Sequence, residues 1–171
     1  MRTRHSLMAI TLLGFFAAGG WVYTQQKTSP GTAVLTGLDY AEIQQLYVRY
    51  AHAINAGNGE AYAAVFTADG GFHSLQPADG SLRHIVGHKA LVEFANQGTM
   101  RKMRAWPAPP VVTPTAEGAS GSAYFLNLDV SGKQPVVTFS GIYEDAFVKT
   151  TDGWRIKSRT FRRDAPPPAA Q

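Results

Sequence analysis

The segment VVTFSGIYEDAFVKTTDGWRIKSRTFRR, residues 136–163, restricts this chain more than any other stretch. Val136 to Lys149 is dense in β-branched and aromatic residues, Thr150-Thr151-Asp152-Gly153 carries a turn signal, and Trp154 to Arg162 resumes the strand pattern. The segment predicts a long β-hairpin, with Gly153 in the left-handed position of its loop and Asp152 closing the turn through its side chain. Side chains alternate across a strand, so Trp154, Ile156 and Ser158 fall on a covered face and Arg155, Lys157 and Arg159 on a wet one. A one-residue slip would bury the basic row and expose the tryptophan, so the register is strongly specified.

A chain of 171 residues with 44% hydrophobic and 16% charged residues can bury one substantial core. Cysteine is absent, which excludes disulfides, thiolate metal sites and a cysteine nucleophile. Residues 1–24 combine a basic start with the uncharged run Leu7 to Tyr23, the pattern of a cleaved export signal or an uncleaved membrane anchor; a buried N-terminal helix is the other option. Export, to the periplasm or the medium, is the expectation, with membrane contact only through that segment if it is retained. Residues 25–36 read as a linker, 37–164 as the domain, and 165–171 (APPPAAQ) as a Pro-rich tail. The formal charge of +4 drops to +2 without Arg2 and Arg4, and no nucleic-acid motif accompanies the basic residues, so no nucleic-acid partner is expected.

In chain order, Leu38 to Asn55 predicts a helix whose apolar stripe is Ile43, Leu46, Tyr47, Tyr50 and Ile54, with Asp39 as N-cap and Glu42 completing a capping box. A second helix is expected over 60–67, closed by Asp69-Gly70-Gly71. Short strands follow at 72–75 and 82–86, then a helix from His88 to Gly98. Residues 99–110 carry prolines at 107, 109 and 110 and predict a loop. Strands at 111–115 and 119–130 precede the hairpin; in the second, Tyr124, Leu126, Leu128 and Val130 share a face. The class is α+β, helices against a mostly antiparallel, curved sheet.

Five segments together resemble the SnoaL-like branch of the nuclear-transport-factor-2-like superfamily. They are IQQLYVRYAHAIN at 43–55, AVFTADGGF at 64–72, GHKAL at 87–91, PTAEGASG at 114–121, and GIYED at 141–145 with DGWRI at 152–156. The resemblance implies a cone-shaped bent sheet wrapped around three helices, an apolar cavity open at one end, and dimerisation through the outer sheet face in many relatives. Members include dehydratases, isomerases, polyketide cyclases and proteins without a reaction, so the fold alone does not set the function. Catalytic relatives carry an acid near the end of the first helix and a histidine before the strand leading to the PTAEG-like turn. Those positions correspond here to Asn55 and Ala105, neither of which can move a proton at neutral pH. No catalytic residue is therefore assigned, and whether the chain is an enzyme stays open.

The candidate ligand pocket is Tyr50, Asn55, Phe66, Phe72, Trp106, Phe125 and Tyr143, presenting rings, hydroxyls, an amide and an indole N–H to a small apolar or aromatic molecule. Among the histidines, His52 lies off the helix stripe, His73 faces away from the interior if Phe72 faces in, and His84 and His88 are separated by a helix-breaking glycine. No metal site or cofactor is expected. A homodimer is expected, and the competing function is a dimerisation or protein-interaction module of the cell envelope that works through the outer face of the hairpin.

Overall fold

Thr36 caps the first helix. In the computed structural model, which describes residues 34–75, 82–97 and 102–164, helix α1 spans Gly37–Ala56 and is capped by Thr36. The Thr36 hydroxyl accepts from the Asp39 N–H, and the Asp39 carboxylate accepts from the Thr36 N–H and hydroxyl, a reciprocal capping box. The expected cap and box at Asp39 and Glu42 are thus displaced by one turn: Asp39 is the third helical residue. The cap also belongs to what the sequence assigns to the linker. Gly57 closes the helix in the left-handed conformation, φ 63°. The stripe Ile43, Leu46, Tyr47, Tyr50 and Ile54 is buried.

Helix α2 is short, Gly59–Ala63, and α3 spans His88–Ala95. The expected extension of α2 to Thr67 fails because the backbone turns out to pair with the last strand; strand β1 runs Phe66–Leu75, and the Ile156 N–H donates to the Val65 carbonyl. Asp69-Gly70-Gly71 is therefore not a terminator but an irregularity inside β1, where the register against the last strand shifts between Phe66 and Gly71. Gly70 is required there, since a Cβ would stand 2.9 Å from the Ile156 carbonyl oxygen.

The remaining strands are β2 (Leu82–Val86), β3 (Met103–Pro107), β4 (Val111–Thr115), β5 (Gly118–Asp129), β6 (Val136–Thr150) and β7 (Gly153–Arg163). They form one seven-stranded sheet in the order β2-β1-β7-β6-β5-β3, with β4 also on β5. All pairs are antiparallel except β1 with β7. The expected loop over 99–110 contains β3. Strands β3 and β4 lie end to end along the same edge of β5, and Ala108 to Pro110 makes the step between them. An edge strand tolerates proline, because the missing N–H would have faced outward.

The β6–β7 hairpin forms as expected, but its alternation does not persist. Phe147 pairs with Ile156 and Ala146 with Ser158, leaving Lys157 as an extra residue in a β-bulge. Trp154 and Ile156 point inward; beyond the bulge the inward residues are Arg159 and Phe161. Arg159, expected on the wet face, is completely buried. On β5 the face of Tyr124 and Leu126 is the outer one, while Ala123, Phe125 and Asn127 point in. The expected signal or anchor segment, most of the expected linker and the tail lie outside the described residues; among those described, no helix is long and apolar enough to cross a membrane.

Candidate functional site

The concave side of the sheet and the helices enclose a cavity of about 300 Å³. Helix α1 contributes Tyr50, Ile54 and Asn55, and α3 contributes Phe94. The sheet supplies Phe72, Ser74 and Leu75 from β1, Arg83 from β2, Met103 and Ala105 from β3, Phe125 and Asn127 from β5, Phe139 and Tyr143 from β6, and Phe161 and Arg163 from β7. Leu75, Arg83 and Arg163 are exposed as well as lining, so they form the rim. It lies where β1 and β7, which run parallel, both end.

Five of the seven expected pocket residues, Tyr50, Asn55, Phe72, Phe125 and Tyr143, converge on this cavity. Two do not. Phe66 is buried behind it, its ring 6.4 Å from that of Tyr50 and 5.4 Å from that of Tyr62, and fills core. Trp106 is 66% exposed, because on β3 it is Ala105 that points inward and its neighbour must point out. Trp106 and His52 instead line a separate, more open groove between α1 and the β3–β4 step.

Sequence reasoning missed the polar cluster beneath the cavity. Arg159 and Asp145 face each other across β7 and β6 and form a two-pronged pair, Nε to Oδ1 at 2.9 Å and Nη2 to Oδ2 at 2.6 Å, with both side chains fully buried. The Tyr47 hydroxyl donates to the same carboxylate. The Arg159 guanidinium lies over the rings of Tyr50, Tyr143 and Tyr47 at 4.2, 4.3 and 4.5 Å. Burial lowers the tendency of this guanidinium to stay charged, but the Asp145 carboxylate more than offsets it and its pKa lies above the usual arginine range. Burial, then the charge of Asp145, pushes the Tyr47 phenol well above its ordinary value. Part of this was readable: with Tyr143 and Phe147 inward, alternation places Asp145 inward too, and a buried carboxylate demands a partner. The bulge that delivers Arg159 carries no such signal.

The cavity floor is the hydroxyl pair Tyr50 and Tyr143, 3.1 Å apart. Since each phenol has one proton, the pair has an O–H left over after bonding to itself. Burial, then the proximity of Tyr50, raises the Tyr143 phenol well above its ordinary range, so it is a donor and not an anion at neutral pH. On the wall, the Asn127 amide N–H donates to the Thr138 hydroxyl at 2.8 Å, whose own proton goes to the Asn127 carbonyl, which leaves Asn127 Oδ1 as a spare acceptor.

Asn55 and Ala105, the two positions at which the family resemblance raises the expectation of an acid and a histidine, touch each other. The Ala105 N–H donates to Asn55 Oδ1 at 2.7 Å, and Asn55 Nδ2 donates to the Ala105 carbonyl at 3.2 Å. The amide thus completes the edge strand as a third strand would. Among the described residues lining the cavity there is no aspartate, glutamate or histidine. His73 and His84 pair with each other across β1 and β2, with Nδ1 atoms 2.8 Å apart, and His88 pairs with Glu60 at 2.9 Å. No group of three or more potential metal ligands occurs among the described residues.

The SnoaL-like domain model matches residues 36–160. No curated protein is significantly similar in sequence to the chain. Among solved structures, an NTF2-like protein with a cystatin-like fold from Novosphingobium aromaticivorans has a TM-score of 0.67 at 21% identity, covering 82% of this chain and 96% of that one, and supports the fold alone. ActVI-ORFA from Streptomyces coelicolor has a TM-score of 0.62 at 25% identity, covering 73% and 97%. A Catenulispora acidiphila protein in complex with S-DNPA has a TM-score of 0.63 at 28% identity, covering 75% and 96%. From the Thr36 cap to the inward end of β7, in motif and in fold, the chain belongs to the SnoaL-like family.

Proposed function

We propose that the domain is a receptor for a small, ring-containing molecule held in the cone, exported by its N-terminal segment, and without the acid–base chemistry of the family's dehydratases. The observation that carries this reading is the lining: tilted and edge-on rings of Phe125, Tyr143, Phe139 and Phe161, with hydrogen-bonding groups at the Tyr50–Tyr143 floor, on the Asn127 wall and at Asn55, Ser74 and the rim arginines, and no described carboxylate or histidine. An apolar wall with few, fixed polar groups suits ligand orientation. A well-placed acid or base is worth on the order of 10²- to 10⁴-fold in rate, and the two positions that would supply them are occupied by an amide and a methyl. The Catenulispora relative solved in complex with S-DNPA supports the use of this fold for holding a ligand. Thermal-shift screening against fused-ring compounds tests the reading: ring compounds should raise the melting temperature, and Phe125→Ala, which enlarges the cavity, should change which of them bind. A screen without a single stabilising ring compound would overturn it. Mass spectrometry of the protein recovered from the producing cell tests export, which requires loss of residues near Ala17-Ala18-Gly19 or retention in the membrane fraction.

A second reading rests on a different surface. Trp106, Tyr124 and Leu126 are 66%, 77% and 41% exposed and adjoin on the outer face, with Val136 and Val137 also exposed at the start of β6. Tyr124 adjoins Ile142, whose β7 partner Arg162 forms an ion pair with Glu144 on the same face. Such a face suits a second copy of the chain, which would cover the exposed rings. Light scattering at micromolar concentration distinguishes dimer from monomer.

A further inference from the structure

Granted that the cavity takes a ligand at all, we infer that its ligand is an organic acid: a ring system fills the cone, and a carboxylate is held at the rim between Arg83 and Arg163. Both arginines line the cavity. Among the described residues neither has an ion pair or a hydrogen bond, whereas Lys157, Arg159 and Arg162 on the same strand as Arg163 each hold a carboxylate. The charge on the lining is therefore unbalanced, two cations against no anion among the described residues. Asp164, the nearest acid in sequence to Arg163, accepts the Ser140 hydroxyl and its N–H donates to the Ser140 carbonyl, so it is tied to β6.

The two guanidiniums are not loose surface charges. Arg83 lies over the ring of Phe94 at 5.5 Å and Arg163 over that of Phe139 at 4.7 Å, and both rings line the same cavity. Stacking occupies the face of a guanidinium and leaves its in-plane N–H donors free, the geometry in which arginine grips a carboxylate. The sheet sets their spacing. Arg83 is opposite Ser74, Ser74 is opposite Phe161, and Arg163 is two residues beyond Phe161. That separates the backbones by about 10 Å across the sheet and about 7 Å along it, a gap two long side chains can close from either side. The carboxylate at the rim and the rings below it define an amphipathic acid with its apolar end inward. The Tyr50–Tyr143 hydroxyl pair lies at that inner end of the cavity.

The test compares 2-naphthoate with 2-naphthamide, the same ring system with and without the charge, by calorimetric titration of the whole domain at low and high salt. The acid is expected to bind about ten- to hundred-fold tighter than the amide at low salt, a span set by charge-assisted hydrogen bonds. The preference should shrink at high salt and vanish in Arg83→Gln/Arg163→Gln, while amide binding persists in that variant and certifies that it is folded. Equal binding of the two probes, or a preference that survives the double substitution, overturns the anionic ligand and leaves the ring-binding cavity standing. Failure of both probes to bind also overturns this proposal, and the ring-binding reading then stands or falls by the thermal-shift screen.

Discussion

The side chain of Asn55 and the main chain of Ala105 hold each other by two hydrogen bonds of opposite direction, joining the last turn of α1 to the edge strand β3. A carboxylate at residue 55 could accept from the Ala105 N–H but would set a second oxygen against the Ala105 carbonyl. Asn55→Asp is therefore expected to destabilise the domain by about 1–3 kcal/mol at neutral pH, the cost of an unmade hydrogen bond on a partly buried group. The protonated acid can donate again, so its folded-state pKa rises above the unfolded value. The lost stability should return as the pH falls, and urea titrations at pH 7 and pH 4 would show it. The same variant should gain no dehydratase activity, since Ala105 still offers no second group.

Arg159→Met removes one member of a fully buried ion pair and leaves Asp145 charged with only the Tyr47 hydroxyl beside it. A loss of about 3–5 kcal/mol is expected, the range for an orphaned buried charge. Arg159→Met/Asp145→Leu should recover much of that. A double-mutant cycle in chemical denaturation measures the coupling, and additive losses would mean that the pair does not act as one unit.

Asp39 receives donors from Lys149, Thr36 and Trp154, and these hold its carboxyl well below the usual carboxylate range. A depressed folded-state pKa contributes stability that is present above about pH 4, the unfolded value, and is lost as the pH falls further toward the folded one. Melting temperatures in Asp39→Asn should accordingly fall less steeply below that pH than in the unaltered chain. Thr36→Ala, which breaks the cap without touching Lys149 or Trp154, should cost about 1 kcal/mol at neutral pH.

His73 has its pKa lowered, first by burial and then by the charge of His84 across the strand pair. The unfolded chain binds the proton more readily, so stability should decline as the pH falls from about 7 through the ordinary histidine value near 6.5. His84→Gln removes the charge term but not the burial term. It should flatten that decline without abolishing it, as read from melting temperatures between pH 7.5 and 5.5.

Tyr124→Lys places a charge in the middle of the outer apolar face while leaving the cavity intact, because Phe125 is the neighbour that lines it. If two copies meet there, the variant should be monomeric on light scattering, with unchanged melting behaviour at high dilution. A dimer that survives the substitution would place the contact elsewhere.

What the sequence alone determined was whatever depends on a regular period. The apolar stripe of α1 reads at steps of three and four residues and Phe72 follows from strand alternation, while Phe125 and Tyr143 came from the set of aromatic residues and from the family resemblance. That residues 55 and 105 are an amide and a methyl is plain from residue type; that these positions matter came from the family resemblance. Tertiary structure decided the places where the period breaks. The extra residue at Lys157 turns Arg159 from the wet face to the core, and the edge of β5 accepts residues 103–107 and 111–115 as strands on either side of a proline step. Bulges and edge pairing depend on which strand lies alongside, a contact between residues far apart in the chain, and no local pattern encodes it. The rim arginines belong to the same class: their residue types are plain in the sequence, but only the parallel pairing of β1 with β7 sets them at one mouth.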